Sequence, residues 1–505
     1  MIYYNQKIRK AGSAMSYFIG ADLGTSSTKL LLCDESGHTI STVTRSYDVF
    51  YPKKGWSEQN PSDWWNALAS GVKELTEKID KNQIKGIAVA GQMHGLVILD
   101  KDDNVIRPTI LWNDGRTSAE TEYLNTVIGK KTLSKYTANI AFAGFTAPKI
   151  LWLKNNEPDN FARISKIMLP KDYINYKLTG VHACDYSDAS GMLTLDVKNK
   201  CWSKEMLDIC SVCEAQMPNL FESYEPIGTL LPNIAAELGL PPSTVVAAGA
   251  GDNAGAAIGT ASIGDGKCNI SLGTSGTVFI SSSKFGVDEN NSLHAFCHAD
   301  GGYHLMACIL SAASCNKWFC DEVLKTDDYA LVQADITDEM LGNNNVYFLP
   351  YLMGERSPIN DTNASGVFIG LRPSTSRADI IQAILEGVSF AIKDNIEIAK
   401  SLGIDIKSST VCGGGAKSPL WLKILANILN IELNIPENEG GPSMGAAYLA
   451  MVASGEYSSI NECSKCSIKE TVMPDDKLVK LYEERYEKFK KIYPEIKKLF
   501  SEIKE

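Results

Sequence analysis

No stretch of this 505-residue chain approaches the roughly 18 uninterrupted apolar residues of a membrane-spanning helix, so none is expected. An excess of basic charge is also missing. The formal net charge is −11 and the isoelectric point about 5.3. A protein that neutralises a phosphate backbone shows a basic face, so nucleic acid is not an expected partner. No Gly-x-x-x-x-Gly-Lys-Ser/Thr segment occurs, which excludes the P-loop solution to nucleotide binding. Residues 1–14 carry Lys7, Arg9 and Lys10 but no apolar core, so they do not read as a secretory signal. They are expected to be a loose extension, with Met15 just ahead of the first strand. Thirteen cysteines, an odd number spread over both halves, suit a reducing cytoplasm better than a disulfide framework. Cys210-x-x-Cys213 and Cys463-x-x-Cys466 lack the Gly-rich knuckle of a four-thiolate zinc site and read as incidental thiols. No low-complexity linker divides the chain, so its halves are expected to share a substantial interface near residue 260.

What is present is ordinary in bulk and specific in detail. Hydrophobic residues make up 44% and charged residues 22%, a globular composition, and the length allows two to four domains. The tetrapeptide Leu-Gly-Thr-Ser occurs twice, at 23–26 and 272–275, about half a chain apart. Each copy follows a short apolar run and leads into a second strand-like run, 29–33 and 277–281. Successive N–H groups and hydroxyls in a glycine turn make an anion nest. Two such turns facing each other would hold one polyphosphate between two lobes.

Strands are expected at 17–22, 29–33, 39–44, 84–90 and 96–100. A helix begins at Asn60-Pro61, with Asn60 as its capping side chain and Trp64, Trp65, Leu68, Val72, Leu75 and Ile79 on its apolar face. The second half repeats the style, with strands near 268–281, 303–309, 346–349 and 409–412 and helices near 377–402 and 418–429. Such alternation predicts α/β layers in both halves. The Lys/Glu-rich end from Asp475 reads as an amphipathic surface helix.

After the strand 244–248, Gly249-Ala250-Gly251-Asp252-Asn253-Ala254-Gly255 superficially fits a dinucleotide fingerprint. A carboxylate at Asp252 would stand where pyrophosphate belongs, and no ribose-binding acid follows. Asp252 is then either a base aimed into a cleft or merely a helix cap, and position alone does not choose. Gly413-Gly414-Gly415 strips side chains from a surface that something flat, such as an adenosine, must approach. His94 lies in a turn bounded by Gly91 and Gly95. His294 and His298 share a helical i, i+4 offset, for which a metal role is the minor reading.

Several motifs in order resemble the FGGY carbohydrate kinases from about Met15 to Ala450. Residues 144–153 (GFTAPKILWL) and 366–386 match the two family patterns. Trp56-Ser57-Glu58-Gln59, Gly91 to Gly95, Leu111 to Arg116, Leu169 to Tyr173 and Gly354 to Pro358 look like the members that phosphorylate D-xylulose. The resemblance implies an actin-like, ribonuclease-H-like fold: a sugar-binding domain at 15–260, a nucleotide-binding domain at 261–505, and a cleft between them. It implies ATP and Mg²⁺ as cofactors, and a small sugar as partner, with a homodimer left open. By the same carry-over Asp252 is the catalytic base, and Asp22 the second acid, acting through Mg²⁺ and its waters. Met93, His94, Asn253 and Trp56 fall to the sugar, and Thr25, Gly273, Thr274, Gly414 and Gly415 to the nucleotide. The nearer alternatives are other sugars of the family (ribulose, gluconate, glycerol). An actin- or chaperone-like ATPase is more remote, since the sugar-side motifs would then have no purpose. Ala250 and Ser27 stand where relatives often carry glycine; both are small enough to keep the loops plausible.

Overall fold

The computed structural model describes residues 15–437 and 440–504, so the expectation for residues 1–14 lies outside the described residues. The first sheet contains β1 (Tyr17–Leu23), β2 (Ser27–Asp34), β3 (Thr39–Ser46), β4 (Ile84–Gly91), β5 (Pro226–Thr229), β6 (Val245–Ala247) and the short β7 (Ala250–Gly251). Its order is β5-β6-β4-β1-β2-β3, with β7 extending beside the end of β4. The second sheet contains β8 (Cys268–Leu272), β9 (Gly276–Ser282), β10 (His294–Cys297), β11 (Tyr303–Ile309), β12 (Ser408–Cys412), β13 (Glu432–Pro436) and β14 (Ile468–Val472). Its order is β10-β11-β9-β8-β12-β13-β14.

The two sheets superpose as patterns. β1 and β2 form an antiparallel hairpin that continues into β3, and β8 and β9 form one that continues into β11. On the other side β1 runs parallel to β4 and β4 to β6, as β8 does to β12 and β12 to β13. An antiparallel edge strand closes each series, β5 on β6 and β14 on β13. The repeated Leu-Gly-Thr-Ser turns therefore occupy the same hairpin of equivalent sheets. Strands buried on both faces explain the near-continuous apolar runs in β1 and β4.

The helix Pro61–Leu75 covers the first sheet with Trp64, Leu68, Val72 and Leu75 buried. Asn60 makes no side-chain cap, contrary to expectation. Its extended backbone instead offers the carbonyl oxygen to the N–H of Asp63 at 3.0 Å, and Pro61 has no N–H to satisfy. Ile79 lies beyond the end of this helix.

The halves meet where the helix Asp252–Gly259 lies against the helix Gly441–Ala453. A Cβ on Gly445 would stand 1.8 Å from the Gly255 oxygen, so only glycine permits this backbone approach. Ala446, Leu449 and Ala450 of the later helix pack with Phe18, Ala88 and Ala90 of the first sheet. The interface near residue 260 is thus built of small residues at backbone distance.

Two expectations need correction. His294 lies on β10, a strand, so the His294/His298 spacing is not a helical face. Among the described residues no group of three or more His, Cys, Asp or Glu could hold a metal ion. The C-terminal helix Asp476–Lys504 is amphipathic but not merely a surface element. Tyr482, Tyr486 and Phe489 are buried, and Arg485 donates to Glu386 at 2.7 Å inside the second half. The family-pattern helix Arg377–Ser401 needs that partner, because Glu386 is otherwise a buried carboxylate.

Candidate active site

Strand register brings the sugar-side residues together. On one side of β4, Asp22 is opposite Ala90 and Leu23 opposite Gly91. On the other side Ala250 is opposite Ala90 and Gly251 opposite Gly91. Three chain segments therefore end at one level: Asp22 with the 23–26 turn, the Gln92-Met93-His94 turn, and Asp252-Asn253. A Cβ on Gly251 would lie 3.0 Å from Met93 Cγ and Sδ, so the Met93 side chain packs against the residue next to Asp252. Ligands in open α/β sheets bind at such carboxyl ends of strands.

Asp252 occupies the first turn of its helix, and Gly251, not Asp252, is the capping position. One carboxylate oxygen accepts from the main-chain N–H of Asn253 at 2.7 Å and from its Nδ2 at 2.9 Å. Burial raises the Asp252 carboxyl to about 6, against the pull of those two donors. Asp22 rises to about 7, through burial first and then the charge of Asp252, with Lys29 pulling the other way. Two neighbouring carboxyls raised toward neutrality are an arrangement suited to acid–base work.

This pair also bears on a metal. Two neighbouring carboxylates whose repulsion is only partly offset by Lys29 form an electrostatic site for a cation.

The His94 turn is held from behind. His94 has a left-handed backbone (φ 69°). Its Nδ1–H donates to the Gly191 oxygen at 2.7 Å, which leaves Nε2 as the acceptor. The ring packs on Phe145 at 4.7 Å between centroids. Burial and the Lys149 charge push the His94 imidazole down to about 3, so it is neutral. The His94 carbonyl accepts from Thr146 Oγ1 at 3.0 Å and Lys149 Nζ at 2.9 Å. Lys149 is itself fully buried, and burial brings its ammonium down to about 7.

Four of the five residues assigned to the nucleotide line one cavity of about 900 Å³ in the second half: Gly273, Thr274, Gly414 and Gly415. Tyr329 and Gln333, from the helix Tyr329–Gln333, and Trp421, from the helix Pro419–Leu429, help to line it. A Cβ on Gly414 would meet nothing within 4 Å and would project into open space. Thr25 is not among its lining residues; its Oγ1 accepts from Trp112 Nε1 at 2.9 Å in the first half. Trp56 is engaged elsewhere, with the Arg116 guanidinium 3.7 Å above its ring and Trp152 edge-on at 5.4 Å.

Residue types alone did not single out Lys149, Gly191 or the side chains that line the second-half cavity. Lys149 was legible only as one letter of the 144–153 pattern. Gly191, Tyr329 and Gln333 carry no local signal, since their partners are far away in sequence. The Cys-x-x-Cys pairs do not form a site: Cys210 is buried and Cys213 exposed, and the thirteen cysteines are free thiols.

Comparison with known proteins agrees with this geometry. Residues 17–259 match the N-terminal domain, and residues 268–454 the C-terminal domain, of the FGGY family of carbohydrate kinases. The xylulose kinase of Escherichia coli strain K12 is 39% identical over 94% of this chain and 98% of its own. That of Bacillus subtilis strain 168 is 36% identical over 95% of this chain and 97% of its own. The crystal structure of a xyloylose kinase from Brucella ovis, 39% identical, superposes with a TM-score of 0.91 over 96% of this chain and 100% of that one. The two duplicated sheets are thus the actin-like lobes that the motifs implied. With both domain models matched in order across most of its length, the chain belongs to the FGGY family of carbohydrate kinases.

Proposed function

We propose that this sugar kinase transfers the γ-phosphoryl group of ATP to the terminal hydroxyl of D-xylulose, giving D-xylulose 5-phosphate. The observation that carries the reading is the convergence, at one end of β1, β4 and β7, of Asp22, the Met93–His94 turn and Asp252–Asn253. The xylulose kinases reported above, 36% and 39% identical, support the choice of sugar.

Asp252 accepts the proton of the attacking hydroxyl as the new O–P bond forms and the bond to ADP breaks. A carboxyl near 6 is ionised at neutral pH yet basic enough to help. The neutral His94 offers Nε2 to a sugar hydroxyl, and Met93 lies over the reacting end. Asn253 steers the Asp252 carboxylate through its two donors. Trp56 backs the sugar side through the Arg116 stack. Gly273 and Thr274 meet the phosphates, Gly414 and Gly415 leave room for the nucleoside, and Thr25 approaches from the facing lobe. Asp22 would hold Mg²⁺ through its waters; when bound, the ion neutralises phosphate charge. The division follows the halves: residues 15–260 for the sugar and 261–505 for the nucleotide. No described helix is long and apolar enough to cross a membrane, and the free thiols favour the cytoplasm as the place of work.

A coupled ADP-release assay over D-xylulose, D-ribulose, gluconate and glycerol tests the reading. D-Xylulose should give the highest kcat/KM. Turnover of ATP that needs no sugar, or a better substrate elsewhere in the panel, overturns it.

A further inference from the structure

Directly behind the proposed base lies a polar cluster that the mechanism above does not use. Lys171, Asp172, Asp185 and Asp188 have no solvent exposure. Lys171 Nζ stands 2.6 Å from Asp172, 2.9 Å from Asp185 and 3.6 Å from Asp188. Four ionisable residues, one lysine and three aspartates, buried at one point are costly, and similar stability is available from an apolar core. The hydrogen bonds leading away from the cluster show what it supports. Asp185 Oδ2 accepts from the Ser187 N–H at 2.9 Å, Ser187 Oγ at 2.5 Å and Ser223 Oγ at 2.7 Å. Ser187 has one hydroxyl proton, and Asp185 Oδ2 accepts it. Its lone pair is thereby aimed at the N–H of Gly251, 3.1 Å away. Gly251 immediately precedes Asp252.

The rest of that strand is held from the same side. Asn175 Nδ2 donates to the Ala248 oxygen at 2.8 Å, and the Gly249 N–H donates to the Ser223 oxygen at 3.0 Å. Residues 248–251 make short, irregular sheet pairing, with only two residues of β7 in register on β4. The Asn175 and Ser187 side chains, with the Ser223 main-chain oxygen, thus supply positional restraint that a longer strand would supply through its ladder. Burial keeps Asp188 well above the usual carboxylate range, so the cluster is less charged than its composition suggests.

We propose that Ser187, oriented by the Lys171–Asp185 ion pair, is a positioning residue that fixes the Gly251–Asp252 backbone and so sets the base against the sugar hydroxyl. The inference rests on Asp252 acting as the base. A displacement of about 1 Å at a reacting group can cost on the order of 100-fold in rate. Ser187→Ala should lower kcat for D-xylulose phosphorylation about 10- to 100-fold, with KM for ATP changed less than about twofold.

The test compares the Ser187→Ala, Asp252→Asn and parent enzymes by steady-state kinetics, with rates divided by ATP-competent sites counted by calorimetry. That division separates positioning from folding, because a purely structural role lowers the number of competent sites and leaves the rate per site intact. A Ser187→Ala rate per site within threefold of the parent, alongside an inactive Asp252→Asn enzyme, overturns the positioning role. An active Asp252→Asn enzyme instead removes the base reading itself. Should Ser187→Ala fail to fold, Ser223→Ala decides, since it takes one donor from Asp185 and leaves the Gly251 contact in place. It should lose about 2- to 10-fold in kcat with KM for ATP unchanged, and an undiminished kcat overturns the proposal.

Discussion

Lys149 Nζ donates to the main-chain oxygen of His94 at 2.9 Å, at a residue whose backbone is left-handed. A buried lysine nitrogen thus braces the turn that presents the imidazole. Lys149→Met keeps most of the volume and removes the donor. A lost hydrogen bond at a buried acceptor costs about 1–3 kcal/mol. We expect kcat/KM for D-xylulose to fall about 5- to 150-fold while KM for ATP holds within about twofold. Initial-rate kinetics with each substrate varied in turn would check this, and a matching loss on the ATP side would show that Lys149 supports the fold at large.

Asp252→Asn and Asp252→Ser separate chemistry from helix capping. Neither side chain takes a proton at neutral pH, and both suit a helix start. Turnover should fall about 10²- to 10⁴-fold with sugar and ATP binding retained by calorimetry. More than a tenth of normal turnover in either variant would end the assignment.

The pH dependence has a definite sign. Asp252 and Asp22 are raised to about 6 and about 7, so the folded protein holds more protons than the unfolded chain between about pH 4 and 7. Their contribution to stability is present below the unfolded carboxylate range and is lost as pH rises through 6 and 7. Asp252→Asn should therefore gain melting temperature over the parent at pH 8 and not at pH 4. In the parent, kcat should drop as pH falls below about 6, when the base is protonated. Scanning calorimetry and a pH–rate profile read the two effects independently. A variant less stable than the parent at pH 8 would contradict the burial penalty.

Gly414→Leu should fill the cavity proposed for the nucleotide without straining the backbone, because a Cβ there meets nothing within 4 Å. ATP affinity should fall at least about tenfold while D-xylulose binding persists, a loss of about 1.4 kcal/mol or more. Titration calorimetry with each ligand measures this. Unchanged ATP affinity would place the nucleoside elsewhere.

Gly445→Val should prevent the helices 252–259 and 441–453 from meeting, since its Cβ falls 1.8 Å from the Gly255 oxygen. The cost should exceed the roughly 1–3 kcal/mol of ordinary overpacking. Urea unfolding followed by circular dichroism would show a lower midpoint, and a midpoint equal to the parent's would mean the helices can part freely.

The sequence by itself determined what depends on neighbours along the chain. The hairpin turns at 23–26 and 272–275 were legible because glycine and hydroxyl residues between apolar runs have few alternatives. The long helices Pro61–Leu75 and Arg377–Ser401 were legible from their periodicity. Motif order was enough to indicate the family, and it led to the proposal of Asp22, Asp252 and the Gly273/Gly414 surface as the site. Tertiary structure decided everything that rests on pairing across distance. Whether Asp252 caps a helix or faces Met93 depends on the register of β7 against β4, set by residues some 160 positions apart. The His294 spacing looked helical because i, i+4 residues also share one face of a strand, and only sheet pairing with β11 resolves that ambiguity. Lys149, Ser187 and Arg485 are polar side chains with no periodic signature. Their roles arise from what folding buries beside them: a carbonyl, a backbone N–H and a carboxylate that must find a partner once water is excluded.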